Sequence, residues 1–190
     1  MQAPALWRYT KDMLLMSKSL YNQPVMSLRL GTPIAIAVEP IINPHNLKIL
    51  GWWCKTPSST KQQVLLAEDV REVTPKGLVI NDEGALSHAD DLVRHNEILS
   101  LHFQLLDKVV KTKRHKLGKV GDFVYENGGM LVQKLHVARP FTKLLAKEDT
   151  LIIDRTQIIE VTDHFILVRD TDIKVTEEEL AIAGAPIPSS

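Results

Sequence analysis

Histidines, a lone cysteine and a dense basic run are the residues of this 190-residue chain whose types could do chemistry. His88, His95 and His102 recur every seven residues, which returns them to nearly one face of a helix. At 1.5 Å rise per residue they also stand roughly 10 Å apart, too far to share a metal, since helical ligand pairs sit three or four residues apart. They read as a polar helix face, and His45, His115, His136 and His164 show no ligand spacing. Cys54 has no cysteine partner, so no intrachain disulfide forms. Its place on a strand beside Trp52 marks a small interior hydrophobe rather than a nucleophile. Phosphate loops, dinucleotide fingerprints, Gly-x-Ser-x-Gly and Cys-x-x-Cys are absent. Asp90-Asp91 and Glu177-Glu178-Glu179 fall at a helix start and in a tail, not where paired carboxylates would work as acid and base. The expectation is a chain that is not an enzyme, with no cofactor and no metal.

Two features point to binding instead. Lys111, Lys113, Arg114, Lys116 and Lys119, with His115 among them, form the densest basic run. On a hairpin they could grip RNA phosphates or an anionic lipid surface, or they could be a solvated turn balanced by Asp107 and Asp122. No aromatic residue is interleaved at stacking distance, which weakens a single-stranded RNA reading. The second feature is Trp53. Strand alternation with Trp52 and Cys54 inward turns Trp53 outward, where it either anchors a partner or packs against the helix, another module or a terminal segment. The candidate partner-binding residues are Trp53, Lys111, Lys113, Arg114 and Lys116.

The whole chain supplies no global field to assist them. Lys plus Arg and Asp plus Glu are 23 each, so attraction to nucleic acid or membrane has to come from a local patch. Hydrophobic residues at 44% and charged residues at 24% suit a soluble globular protein that buries a core. Arg8, Lys11 and Asp12 interrupt the apolar residues of the N-terminus, unlike a signal peptide, and no apolar run approaches the ~20 residues that span a bilayer. The expected location is the cytoplasm.

The elements that position these residues repeat. Glu72-Val73-Thr74 and the apolar Leu78-Val79-Ile80 lie over Glu160-Val161-Thr162 and Ile166-Leu167-Val168 at an offset of 88. Leu20 to Ser27 lies over Leu105 to Thr112, Gly31 over Gly118, Ile36 and Val38 over Phe123 and Tyr125, and Trp52 and Cys54 over Leu135 and Val137. Four blocks in one order imply a duplication, with offsets drifting as loop insertions would make them. In this alignment Trp53 falls on His136, a polar residue, as an outward position would. Short strands separated by Gly31-Thr32-Pro33, Asn43-Pro44, Thr56-Pro57 and the hairpin signal Asn127-Gly128-Gly129 indicate a small barrel or sandwich in each copy, a barrel being the form that leaves no exposed edge. Ser87-His88-Ala89-Asp90 reads as a helix start, with Leu92, Val93, Ile98 and Leu99 at helical spacing over about 88–100. The expected layout is a first barrel over 14–84, a linker helix over 85–101, a second barrel over 102–173 and a flexible tail over 174–190.

The order of these features resembles the PRC-barrel family. The second copy carries the resemblance best: Leu105-Leu106-Asp107-Lys108-Val109-Val110, a Leu117-Gly118-Lys119-Val120 turn-to-strand step, Asp122-Phe123-Val124-Tyr125, Ile158-Ile159-Glu160-Val161-Thr162 and the closing Phe165 to Val168. In the first copy the step reads Leu30-Gly31-Thr32-Pro33, a weaker match. The resemblance implies a mainly β chain of two tandem PRC-barrel-like modules joined by one α-helix. It implies an adaptor that docks on a protein or on a protein–RNA particle. Two further readings stay open: a ribosome-maturation or RNA-processing factor, and a peripheral membrane or cell-division scaffold.

Overall fold

The computed structural model describes residues 13–57, 59–139 and 150–170; the expected tail lies outside them. The protein is mainly β: 52% of the described residues lie in strands and 17% are helical. The strands are β1 (Leu14–Met16), β2 (Gln23–Ser27), β3 (Thr32–Ile42), β4 (Ile49–Lys55), β5 (Gln63–Leu66), β6 (Val70–Thr74), β7 (Gly77–Ile80) and β8 (Leu86–Ser87). After the short helix α1 (Asn96–Leu101) come β9 (Val109–Lys111), β10 (Lys116–Glu126), β11 (Leu131–Ala138), β12 (Thr150–Asp154), β13 (Ile158–Val161) and β14 (Phe165–Val168).

They build two sheets of one topology. The first runs β6-β7-β2-β3-β4-β5, with β8 added beside β5, and the second runs β13-β14-β9-β10-β11-β12, with β1 added beside β10. Among the described residues, the only parallel pairing in each joins the first strand of the unit to its last, β2 to β7 and β9 to β14. The end strands β5 and β6 would lie about 24 Å apart in a flat sheet, five spacings of ~4.8 Å. A three-residue 3-10 turn, Ala67–Asp69, joins them. A link so short forces the sheet to curl into a half-barrel. Arg155–Gln157 makes the same turn between β12 and β13.

The registers match to the residue. The bulge between Ala37 and Glu39 on β3 recurs between Val120 and Asp122 on β10, an offset of 83. Trp52 faces Pro40 as Leu135 faces Phe123, and Val25 pairs with Leu78 as Val110 pairs with Ile166. Three of the four sequence blocks therefore align as expected, and the Gly31–Gly118 block is displaced by four. The slot of Gly118 belongs to Ala35, and Pro40 and Ile42 correspond to Phe123 and Tyr125. The two glycines misled because they answer different needs. Gly31 sits in an open turn at φ +69°, whereas a Cβ on Gly118 would fall 2.0 Å from the Ala138 carbonyl oxygen.

One apolar core runs through both halves, from Trp52, Ile80 and Leu78 to Phe123, Tyr125 and Ile166. The halves meet about a local two-fold. Lys48 bridges Leu131, its own counterpart at offset 83. Ile49 N–H donates to Met130 O at 2.7 Å, and Val132 N–H donates to Leu47 O at 3.1 Å, the same bond seen from each side. Leu47 and Met130 also share a left-handed backbone, at φ 58° and 50°. An interface in which each contact is repeated by the twins of the two residues is isologous, as between the subunits of a symmetric dimer.

The arms that precede each half cross over. Residues 14–20 lead into the first sheet yet cover the second. β1 pairs with β10, Ser17 Oγ donates to Asp122 at 2.5 Å, and Ser19 Oγ meets the Tyr125 hydroxyl at 3.0 Å. The segment before β9 lies on the first sheet, where Leu99 packs with Ile41, Trp53 and Val64. That segment departs from the single helix expected over 88–100. It is two 3-10 turns, Ala89–Asp91 and Val93–His95, followed by the six-residue α1. Ser87 pairs with Val64 as part of β8 and does not cap, and Leu92 leaves helical space at φ −92°, ψ 59°. The break brings Ala89, Leu92 and Leu99 onto one cluster while Val93 faces solvent.

Candidate binding surface

The basic run sits on the β9–β10 hairpin. Thr112 is buried, and its Oγ1 accepts the backbone N–H groups of Arg114 at 3.2 Å and His115 at 3.0 Å. Thr112 N–H closes the turn on His115 O at 2.8 Å. A threonine that takes up the turn's own donors holds the tip in one conformation. From this base Lys113, Arg114, His115 and Lys116 project into solvent. Lys111 is half-buried, with Nζ 3.5 Å from the centroid of the Phe165 ring. With Lys113, Arg114, Lys116, Glu160 and Leu167 they line a cleft of about 260 Å³.

The charge here is not balanced as the sequence suggested. Asp122 is held by Ser17, and Asp107 lines another cavity. Instead Arg114 Nε stands 3.6 Å from Asp170, an exposed pair worth little, and Glu160 lies on the cleft wall. Lys116 is directly opposite Lys111 on the neighbouring strand, a like-charge pairing that destabilises a sheet. The structure thus brings Lys111, Lys113, Arg114 and Lys116 together.

The twin hairpin uses the same device with other chemistry. Ser27, also buried, accepts the Leu30 N–H at 3.2 Å, and the tip presents the exposed Leu28 and Leu30 around Arg29.

Trp53 does not join the hairpin. It faces away from the main core as alternation requires, but α1 covers it and leaves only 9% exposed. His102 stacks on its ring at 5.6 Å between centroids, 21° between planes. Of the two readings that its outward position left open, packing against the helix is the one seen, with Leu99 and His102, remote in sequence, supplying the cover. The break in the linker also takes His102 out of any common face with His88 and His95. Trp52 and Cys54 point inward as expected, both fully buried. Burial pushes the Cys54 thiol up to about 12, so it carries no thiolate near neutrality. Among the described residues no three His, Cys, Asp or Glu side chains converge as metal ligands.

Sequence reasoning missed a second cavity, of about 290 Å³, between the first sheet and the segment that follows α1. Tyr21, Glu39, Trp53, His102, Phe103 and Asp107 line it. Burial first, then the negative field of Glu39 and Asp122, raises the Tyr21 phenol to about 12. The signal was available only in register: Glu39 and Trp53 are the twins of Asp122 and His136.

Comparison of the chain with models of protein families and with curated proteins finds no match.

Proposed function

We propose that this protein is a non-enzymatic adaptor built from two PRC-barrel-like modules, which docks through the β9–β10 hairpin on an anionic face of a protein or protein–RNA partner. The carrying observation is that cationic hairpin. Its tip is fixed by Thr112, and it retains the Lys111–Lys116 opposition that an anionic partner would relieve. The duplicated half-barrel topology supports the family reading. The non-enzymatic reading is supported by an inward thiol held in its neutral form.

Between the two partner classes, the Phe165 ring favours a protein. Its face already carries the Lys111 ammonium, so it is not offered for base stacking. The test is a crosslinking pull-down with the intact chain and with Lys113→Glu/Arg114→Glu. The adaptor reading expects one partner recovered by the intact chain and lost by the variant at unchanged melting temperature. If ribosomal particles are what the intact chain retains, the protein–RNA class is selected. Recovery that survives charge reversal removes the hairpin from the interface and overturns the reading.

A further inference from the structure

The two-fold relation between the halves supplies an internal control for the second cavity. In the second half, the carboxylate at the bulge, Asp122, is satisfied by the crossing arm. It accepts Ser17 Oγ at 2.5 Å and the Phe123 N–H at 2.7 Å. In the first half the same position is Glu39, half-buried, and the arm delivers no donor to it. Among the described residues Glu39 makes no hydrogen bond and no ion pair, and the Tyr21 hydroxyl beside it has no hydrogen-bond partner either. A half-buried carboxylate that no side chain or backbone group engages is open to a donor brought by a ligand.

The walls specify what would. The rings of Tyr21, Trp53 and Phe103 line it, and Asp107 adds a second carboxylate. The nearby ammonium of Lys108 is already engaged, resting 4.8 Å from the centroid of the Phe103 ring and donating to the Asp163 carbonyl. Aromatic walls closed by a carboxylate attract a cation and repel an anion. A planar guanidinium suits two unpartnered oxygen acceptors, from Glu39 and Tyr21, better than a compact ammonium does.

We infer that this cavity binds an arginine side chain presented by a protein partner, with Glu39 and the Tyr21 hydroxyl accepting the guanidinium and Trp53 flanking its stem. The site is independent of the hairpin and opposite to it in charge. Two surfaces of opposite sign would let the two halves hold different partners.

The test uses the intact chain and a five-residue glycine peptide with one central arginine, against the same peptide carrying neutral, isosteric citrulline. Binding is read by tryptophan fluorescence and by the Trp53 indole resonance. The expected result is saturable binding of the arginine peptide, at least about tenfold tighter than the citrulline peptide. Glu39→Gln is expected to erase that difference, Tyr21→Phe to reduce it, and Lys113→Glu/Arg114→Glu to leave it unchanged. Equal binding of the two peptides, or no saturation by about 10 mM, overturns the inference, as does discrimination that survives in Glu39→Gln. If Glu39→Gln does not fold, the arginine–citrulline contrast on the unmodified chain decides alone. Failure here leaves the hairpin reading intact, because its variants are scored separately.

Discussion

At the scale of single residues, β4 divides its side chains between the main core and the cluster beneath α1. Trp52 and Cys54 face inward because a strand turns every second side chain to one face, and that can be read from seven residues. The helix could be named as one cover for Trp53, but not chosen over a partner, because Leu99 and His102 are brought to it only by the fold. Truncation of Trp53 to Ala is expected to cost about 3–5 kcal/mol by urea unfolding. Cys54 gives a chemical check: at pH 8 it is expected to react with Ellman's reagent only after denaturation, since burial holds the thiol up to about 12. Tyr21 gives a pH check with a definite sign. Its folded value, about 12, lies above the ordinary 10.0, so folding favours the neutral phenol. The stability it contributes is present below pH 10 and is lost as pH rises from 10 towards 12. In Tyr21→Phe that part of the alkaline loss, followed by chemical denaturation, is expected to disappear.

At the scale of elements, strands were easier to foresee than the linker. Short β-branched runs between turn residues specify strands locally, and both hairpins close on buried hydroxyl residues, Ser27 and Thr112. The linker showed helical spacing, but Ser87 was already committed to pairing with Val64, a long-range demand invisible in its own window. Leu99 is then the residue that fastens the segment to the first sheet. Leu99→Ala is expected to lower stability by about 2–5 kcal/mol and to shift tryptophan emission to the red as water reaches Trp53. The repeat alignment failed at Gly31 for a related reason: residue identity is a poor guide where one glycine serves a turn and the other a close strand crossing. Gly118→Ala is expected to destabilise by about 1–3 kcal/mol, whereas Gly31→Ala meets no neighbouring atom and is strained only by its backbone. Thermal melts of the two variants separate these effects.

At the scale of the whole molecule, the duplication was legible and the exchange of arms was not, because a repeat in sequence says nothing about which copy an arm covers. The shared core and the reciprocal Ile49–Met130 and Val132–Leu47 bonds make the halves one unit. Calorimetry is expected to show a single transition with equal calorimetric and van't Hoff enthalpies; two resolved transitions would contradict that. Deleting residues 1–16 is expected to strip amide-exchange protection from those amides of Val124 to Glu126 that face β1 before the β3–β4 pair is affected, although the deleted strand precedes the first sheet in the chain.

The crossing of β1 also sets a schedule for synthesis. Leu14 leaves the ribosome early, but its pairing partner Glu126 follows 112 residues later. At about 5–20 residues per second the arm waits roughly 6–22 s for its place in the sheet. The first half waits too, since α1 must emerge before Trp53 is covered. Trp53 stays bare until α1 emerges and β1 stays unpaired until β10 does, so the nascent chain passes through a stage with a bare tryptophan and an unpaired strand, the state in which a chaperone would find it.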